Sequence, residues 1–387
     1  MGGFRLVIFL SVFFIIFSLI SYYLFIRGWQ SIAVVNVAWV KTLYISVFVV
    51  FSFSYLIARM FGKQMPLAVG DTLALIGGFW FAAMLYFILL SLFFDLSRFI
   101  GNSFNLFPQA LINNLPWVKL IALLLAVSVT TALLIYGYIN TMNPRISEVE
   151  IKINKKAEGM EKLHVVFASD IHLGHVVGRK SINKIITKIN ELKPDLVLFP
   201  GDVVDEELYP VTQKKLGEAF KKLRPIYGVY AVTGNHEYIG GVKAAVDYLS
   251  QFGITFLRDE AVNINDKFIV AGREDISLNS FTTEKRKSLS EILANVDAKL
   301  PVILMDHQPI SLSEAVENDV DLQVSGHTHN GQMWPLNYIT EKVFKLSWGY
   351  LQIENSHFYV SSGAGTWGPR VRIGNHPEIV SLKLNFN

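Results

Sequence analysis

The chain begins with a succession of long apolar stretches that predict membrane-spanning helices. A helix needs about 20 mostly apolar residues to cross the hydrocarbon core of a bilayer. The stretches that suit this length predict four crossings, at residues 6–26, 42–58, 72–94 and 120–139. The first of them is longer than the apolar part of a secretory signal, and no small-residue cleavage site follows it, so we expect it to stay as an anchor.

The second crossing has the least regular boundary. Lys41 interrupts an apolar region that runs from residue 32 to residue 58, so the predicted crossing starts after this lysine. The preceding segment contains Trp29 and Trp39, and tryptophan favours the interface between lipid and water. The pattern therefore predicts an interfacial segment before the second crossing.

After residue 142 the pattern changes to short apolar runs separated by polar segments, which predicts alternating strands and helices. Isoleucines from Ile182 to Ile189 recur at helical spacing until Pro194, and residues 243–251 predict a second helix. The apolar runs predict strands at residues 163–168, 196–199, 228–232, 268–271, 302–305, 321–324, 357–361 and 379–384. We therefore expect a transmembrane domain over residues 1–142 and one α/β domain over residues 143–387.

Charged residues divide the chain in the same way. Residues 1–142 contain seven Lys or Arg, two Asp and no Glu. The remainder contains 28 basic and 30 acidic residues, and this balance argues against the basic surface that a nucleic-acid partner requires. The chain has no cysteine, so thiol chemistry does not indicate a redox compartment.

The basic residues also predict an orientation, because Lys and Arg near the ends of the crossings favour the cytoplasmic side. Four crossings place both termini on the same side. The terminal side has the larger set, with Arg5, Arg59, Lys63, Arg145, Lys152, Lys155 and Lys156, against Arg27, Lys41, Arg98 and Lys119 on the other side. We therefore expect a multi-pass protein of the cell membrane whose α/β domain lies in the cytoplasm.

Polar side chains with metal-binding chemistry follow successive predicted strands. Five of the nine histidines belong to this set. Its members are Asp170 and His172, Asp202 with Asp205, Asn235 with His236 and Glu237, His307, and His327 with His329. The carboxyl ends of strands meet at one edge of an α/β sheet, so these side chains are expected to converge. A single Asp-x-His or Gly-Asp is more often turn chemistry, but the ordered set predicts a metal centre.

The residue types indicate which metals and which reaction suit this centre. Carboxylate, imidazole and amide ligands without thiolate suit Mn²⁺, Fe or Zn²⁺ better than Mg²⁺ alone. Two cations about 3.5–4 Å apart, bridged by a carboxylate, can share a water, lower its pKa and hold phosphoryl oxygens during in-line attack. The set therefore predicts hydrolysis of a phosphoester or pyrophosphate bond.

The ordered motifs resemble those of the calcineurin-like metallophosphoesterases, over residues 163–384. The resemblance implies a four-layer α-β-β-α sandwich and two divalent metal ions, with Mn²⁺ favoured and Fe or Zn²⁺ as alternatives. It also implies that Asp202 bridges the ions and that His236 acts as proton donor or stabilises the transition state. The remaining implied ligands are Asp170, His172 and His329 for one ion, and Asn235, His307 and His327 for the other.

A closer likeness is to the membrane-attached branch of this family, which includes hydrolases similar to those acting on UDP-diacylglucosamine. The likeness rests on residues 325–332 and 359–366 with Arg372, Pro377 and Glu378. Asn330 stands where glycine is commoner in that branch, and four predicted crossings replace its single anchor or peripheral attachment. The metal chemistry therefore transfers to this chain more directly than the substrate.

Other polar and aromatic residues have less specific interpretations. Arg179 is a candidate phosphate ligand, and Asp95 with Arg98 predicts an ion pair one helical turn apart. Residues 333–351 are rich in aromatic side chains, which form either a lip that contacts lipid or ordinary packing. The histidines expected to lie outside the metal centre are His164, His175, His357 and His376.

These features support one leading hypothesis and three alternatives. The leading hypothesis is a membrane-bound phosphoesterase that acts on a lipid or lipid-linked substrate, because few residues separate the last crossing from the α/β domain. The alternatives are a phosphodiesterase for a soluble nucleotide-type substrate, a non-catalytic membrane sensor of a phosphorylated ligand, and a transporter. Few polar pairs in the crossings disfavour the transporter. The oligomeric state stays open.

Overall fold

Two compact units make up the chain. The computed structural model describes the backbone of residues 2–387 and the side chains from residue 11 onward. The first unit ends at Tyr138 and the second comprises Ile139–Asn387. The helices that lie mainly in the first unit are α1 (Gly2–Ile32), α2 (Ala38–Phe61), α3 (Leu67–Ser103), α4 (Gln109–Asn113) and α5 (Leu115–Asn140).

Four of these helices are long and apolar enough to cross a membrane, as the sequence predicts. The candidate spans are Ser11–Ile32, Ala38–Gln64, Leu67–Ser103 and Leu115–Asn140. The second begins before the predicted boundary, because Lys41 lies in the first turn of α2 instead of preceding it. A lysine near a helix end can extend its ammonium toward the interface while its methylenes stay in apolar surroundings. Trp39 likewise belongs to α2, and Trp29 to α1.

Polar and aromatic contacts join the helices of the first unit. Asp95 of α3 pairs with Arg27 of α1 and accepts a hydrogen bond from Tyr23 at 2.9 Å, so the expected pair with Arg98 on its own helix is wrong. The carboxylate points across to the neighbouring helix, where two donors meet it. Farther along the same two helices, the rings of Phe17 and Phe81 pack with their centroids 5.7 Å apart.

The second unit contains two six-stranded sheets. The strand orders are β1-β12-β2-β3-β4-β5 and β10-β11-β9-β8-β7-β6. The strands are β1 (Arg145–Ile153), β2 (Lys162–Phe167), β3 (Leu196–Pro200), β4 (Val229–Val232), β5 (Thr255–Phe256), β6 (Glu260–Ile264), β7 (Phe268–Gly272), β8 (Val302–Met305), β9 (Leu322–Ser325), β10 (Gly349–Ile353), β11 (Ser356–Val360) and β12 (Glu378–Phe386). Every strand that the apolar runs predict is therefore confirmed.

Helices cover the outer face of each sheet. The α-helices that lie wholly in the second unit are α6 (Arg179–Glu191), α7 (Leu208–Gln213), α8 (Asn235–Gly240), α9 (Val242–Ser250), α10 (Leu278–Phe281), α11 (Leu289–Leu293), α12 (Leu312–Glu317) and α13 (Asn337–Val343). Ile182 and Ile186 of α6 belong to the core outside the first sheet, and Leu312 of α12 belongs to the core outside the second. A third core, which includes Phe167 and Val270, fills the space between the sheets. The four-layer α-β-β-α sandwich is thus confirmed.

Parallel pairing brings the ends of the central strands to common edges. In the first sheet β2, β3 and β4 run parallel, and in the second sheet β7, β8 and β9 do so. The loops after β2, β3, β4, β8 and β9 carry the polar motifs. The topology therefore assembles side chains that are distant in sequence.

Candidate metal centre

All seven predicted metal ligands come together at the carboxyl ends of the strands. Five of them, Asp170, His172, Asp202, His327 and His329, have positive φ angles between 49° and 71°. A residue with a Cβ occupies this left-handed region only at some cost in free energy, and such residues persist where surrounding contacts determine the backbone. The loops therefore hold the backbone at these ligands in a conformation that a free peptide would rarely adopt.

The first group of ligand atoms comprises Asp170, His172 and His329, all buried. The Nε2 atom of His329 lies 3.4 Å from Oδ1 of Asp170 and 3.0 Å from Nε2 of His172. Two imidazole nitrogens at this separation, beside a carboxylate, direct their lone pairs toward one point. This donor set fits a divalent cation.

The second group comprises Asn235, His307 and His327 with Asp202. The Oδ1 atom of Asn235 lies 2.8 Å from Nδ1 of His327 and 3.2 Å from Nε2 of His307. The Oδ2 atom of Asp202 lies 3.2 Å from Nε2 of His307 and 3.8 Å from Nε2 of His172. Asp202 is therefore within reach of both groups, the position expected of a bridging carboxylate.

Contacts behind the ligands fix the orientation of their rings. Nδ1 of His307 lies 2.8 Å from the carbonyl oxygen of Pro200 and donates to it, which leaves the Nε2 lone pair facing Asp202 and Asn235. Arg372 is fully buried. Its Nη2 atom lies 3.2 Å from Nδ1 of His329 and donates a hydrogen bond to the carbonyl oxygen of Gly365 at 2.8 Å. The loop after β11 thereby supports the loop that carries His329.

Asp205 is the partner carboxylate of His236 that the sequence leaves unassigned. Its Oδ1 atom lies 3.1 Å from Nδ1 of His236 and 3.3 Å from Nδ1 of His172. Burial lowers the pKa of His236, but the carboxylates of Asp202 and Asp205 outweigh burial and raise it to about 9. In the metal-free site these carboxylates thus favour the protonated form of the ring, which is the form that a proton donor needs.

Glu237 has a structural role that the sequence pattern alone did not identify. Its buried carboxylate accepts hydrogen bonds from the backbone N–H groups of Asp202 at 3.1 Å, Val204 at 2.8 Å and Gly234 at 2.8 Å. Burial and the nearby Asp202 raise the pKa of Glu237 to about 7. The position of a glutamate two residues after Asn235, at the start of α8, is the capping-box signal for this role.

Glycines in the motifs allow the ligands to approach the backbone. A Cβ atom on Gly234 would lie 2.1 Å from Oδ1 of Asp202, and one on Gly326 would lie 2.1 Å from Oδ2 of Asp170. Real Cβ contacts are never this short, so a side chain at either position would displace a ligand. The glycines before Asn235 and His327 are therefore part of the site's geometry.

The four remaining histidines lie outside the groups of ligand atoms described above. His164 bonds the Ser381 hydroxyl at 2.8 Å, and His357 bonds the Tyr350 hydroxyl at 2.7 Å. His376 forms a hydrogen bond with Asn140, and His175 lies 3.9 Å from the carboxylate of Glu207. Arg179, the candidate phosphate ligand, donates a hydrogen bond to the carbonyl oxygen of Lys214.

An aromatic rim lies beside the metal centre. We define this rim as Trp334, Tyr338, Trp348 and Trp367, all of which are exposed. Two aromatic rings connect it to the site, because the Trp367 ring lies 6.1 Å from the His236 ring and the ring of Phe344 lies 5.9 Å from that of His327. Trp367 lies outside residues 333–351, so the sequence pattern identified only part of the rim.

Comparison with known proteins identifies a family that this chain resembles in sequence. Residues 163–331 match the family model described as calcineurin-like phosphoesterase. An uncharacterized metallophosphoesterase of Aquifex aeolicus is 33% identical, and the match covers 64% of this chain and 95% of that protein. Proteins named "Transmembrane protein with metallophosphoesterase domain" are 34% identical in Bos taurus and 30% in Danio rerio, over 67% of this chain.

The match spans 62% of the length of the two vertebrate relatives, so it does not cover them completely. It covers nearly the whole of the bacterial relative. Members of the family use divalent metal ions, and the two groups of ligand atoms described above fit such ions. On this evidence the chain belongs to the calcineurin-like metallophosphoesterase family.

Proposed function

We propose that this chain is a membrane-bound phosphoesterase with a dinuclear metal centre, and that it hydrolyses a phosphoester or pyrophosphate bond in a lipid or lipid-linked substrate. The observation that carries the proposal is the position of Asp202 between two groups of ligand atoms. Its Oδ2 atom lies within 4 Å of histidine nitrogens from both groups. A carboxylate in this position supports two ions at one site.

In this proposal Asp170, His172 and His329 hold one ion, and Asn235, His307 and His327 hold the other, while Asp202 contacts both. We propose Mn²⁺ as the bound ion, with Fe or Zn²⁺ as alternatives, because carboxylate, imidazole and amide ligands suit all three. When bound, such ions polarise phosphoryl oxygens and lower the pKa of a coordinated water.

The protein's own residues would then position the phosphate and supply a proton. The backbone N–H of His236 donates to Oδ1 of Asp202 at 2.9 Å, so the loop after β4 is tied to the bridging carboxylate. Asp205 orients the His236 ring through Nδ1. As water replaces the leaving group at phosphorus, the water releases one proton to solvent, the bond to the leaving oxygen breaks, and His236 gives that oxygen a proton from Nε2, which solvent then restores.

The aromatic rim supports a substrate with an apolar part. Tryptophan and tyrosine combine a large apolar surface with one polar atom, which suits them to the boundary between lipid and water. The rim reaches the metal centre through Trp367 and Phe344. An acyl or isoprenoid chain on the rim would leave its phosphate at the ligands, and the four apolar helices would anchor the protein in a membrane, where such substrates occur.

The test is phosphorus NMR of a native lipid extract incubated with the detergent-purified protein and Mn²⁺. An Asn235→Ala variant and a soluble aryl phosphodiester serve as comparisons. We expect a lipid phosphorus signal to shift with the intact protein and to stay unchanged with the variant. The shifted signal also identifies the bond that breaks.

Two other outcomes would contradict parts of the proposal. Turnover of the aryl ester alone would retain the phosphoesterase but move its substrate into water. Turnover of neither compound by protein that binds two metal ions would overturn the enzymatic role and favour a sensor of phosphorylated ligands.

A further inference from the structure

A polar cavity of about 280 Å³ lies next to the metal centre in the second unit. Two of its lining residues, Asp306 and Gln308, flank the candidate ligand His307. Three basic side chains also line it, namely Arg273, Arg286 and Lys287. No step of the proposed hydrolysis uses this cavity.

The cavity has more basic than acidic side chains. Arg273 is 6% exposed. Its Nη1 atom lies 2.6 Å from Oε2 of Glu314 and 3.5 Å from Oδ2 of Asp306. Arg286 pairs with the same carboxylate of Asp306. Lys287 therefore gives the lining an excess of one positive charge over Asp306 and Glu314.

Two guanidinium groups in the wall keep unused hydrogen-bonding capacity. The Nε atoms of Arg273 and Arg286, and Oδ1 of Asp306, are buried and have no hydrogen-bond partner among the residues that the structure describes. A buried N–H without an acceptor costs free energy, and the cost is larger for a charged group. Asn279 and Ser311 add an amide and a hydroxyl to the lining. Together with the Lys287 ammonium, these donors outnumber the one unpartnered acceptor of Asp306, as binding of an oxyanion requires.

Hydrogen bonds connect this wall to the metal-binding loops. The side-chain amide of Gln308 donates to both carboxylate oxygens of Asp275 at 3.0 Å. The backbone N–H of Asp275 donates to Oγ1 of Thr233 at 3.3 Å. Thr233 precedes Gly234 and Asn235 in the loop after β4. A group bound in the cavity would therefore lie beside the loops that hold the reacting phosphate.

We propose that this cavity binds a second anionic group of the substrate, a phosphate or a chemically similar oxyanion, while the first phosphate occupies the metal centre. The preferred substrate would then carry two separated anionic groups. The part of this inference that concerns the substrate rests on the proposed function. Binding of an oxyanion in the cavity does not, so the two can fail separately.

The first test measures binding of inorganic phosphate to the full chain after metal removal, by titration calorimetry in detergent. Arg286→Gln removes a cavity-lining cation, whereas Lys285→Gln removes the same charge from an exposed neighbour that does not line the cavity. We expect phosphate to bind the unmodified chain and Lys285→Gln equally, and about tenfold or more weakly to Arg286→Gln. Absence of saturable binding, or equal weakening in both variants, would overturn the inference.

A second variant covers the case in which Arg286→Gln unfolds because it leaves Asp306 with only the more distant Arg273. Asn279 is exposed and lines the cavity, so Asn279→Asp adds a negative charge there with almost no change in volume. Its melting temperature should match that of the unmodified chain, while its affinity for phosphate should fall about tenfold. Unchanged affinity in this folded variant would contradict an anion site.

The third measurement decides whether the anion belongs to the substrate. The Mn²⁺-loaded enzyme is given two soluble aryl phosphates that differ only in a second phosphate group. We expect the doubly charged compound to have the lower KM, and Arg286→Gln to remove most of that difference while Lys285→Gln preserves it. Equal KM values would restrict the cavity to free phosphate. Phosphate binding without any hydrolysis would leave the cavity assignment intact and reject the proposed function.

Discussion

At the scale of single residues, Gly326 tests whether the metal centre depends on close approach of the backbone. Gly326→Ala places a Cβ 2.1 Å from Oδ2 of Asp170, so we expect the variant to fold but lose metal at the first group of ligands. Metal content of the purified variant, measured by mass spectrometry, checks this. Gly178→Ala is the matched control, because no described atom lies within 4 Å of its added Cβ. Full metal content in Gly326→Ala would show that Asp170 is not a ligand.

The proton-donor role of His236 predicts a loss of turnover without a loss of metal. His236→Gln keeps a polar side chain of similar reach but cannot carry the proton, so kcat should fall by about 10²–10⁴. Metal content and melting temperature should stay near those of the unmodified chain. His164→Gln provides the control, since His164 bonds Ser381 outside the ligand groups. Comparable kcat values for the two variants would reject the assignment.

The sequence identified the candidate ligands at this scale but not the contacts that orient them. The motifs between Asp170 and His329 identify the candidate ligands, and the side-chain types of these residues indicate which metals and which reaction suit them. The roles of Asp205, Glu237 and Arg372 depend on distances between loops that are far apart in sequence. No periodicity encodes such distances, so only the folded structure could assign His236 its carboxylate.

At the scale of the elements, packing between the two sheets should dominate the stability of the second unit. Phe167 is fully buried between the sheets, and its ring lies 5.7 Å from that of Tyr359 in an edge-on arrangement. Phe167→Ala should lower the free energy of unfolding by about 3–5 kcal/mol, through lost burial and the cavity it creates. Denaturant unfolding monitored by circular dichroism measures this change.

The exposed Phe281 provides the comparison for that experiment. Its side chain is 54% exposed, so Phe281→Ala should change the free energy of unfolding by less than about 1 kcal/mol. Equal effects of the two substitutions would mean that the space between the sheets is not a packed core.

Burial explains which elements the sequence predicted. Strands β3, β7, β8 and β9 are buried along their whole length and appear as continuous apolar runs. The edge strand β1 was not predicted, because the prediction followed continuous apolar runs, whereas in β1 the buried Ile151 and Ile153 alternate with exposed charged residues, a pattern that is also typical of a half-buried strand. The strand order could not be predicted either, since it depends on contacts between distant segments.

At the scale of the whole molecule, metal removal should abolish activity reversibly. A chelator should reduce hydrolysis of the aryl ester to background, and Mn²⁺ should restore it. The reconstituted chain should contain two ions, and Asn235→Ala should contain about one, because Asn235 belongs to only one group of ligands. One ion in the unmodified, active protein would contradict the dinuclear centre.

The proposed cytoplasmic position of the second unit can be tested because the chain has no cysteine. Ile226 is 76% exposed, so Ile226→Cys introduces a single accessible thiol into the second unit. A membrane-impermeant maleimide should label it only after the cells are opened. Val37→Cys, between α1 and α2, should react in intact cells if four helices cross the membrane. Labelling of Ile226→Cys in intact cells would reverse the orientation.

The position of β12 between β1 and β2 has a consequence for synthesis on the ribosome. β1 and β2 emerge early, yet each pairs with a strand that comes after Pro377 in the chain. Until that strand is translated, both early strands present unpaired backbone groups, which favour association with other chains. Nascent chains stalled before Glu378 should therefore depend on chaperones, even though all seven candidate ligands have already been made.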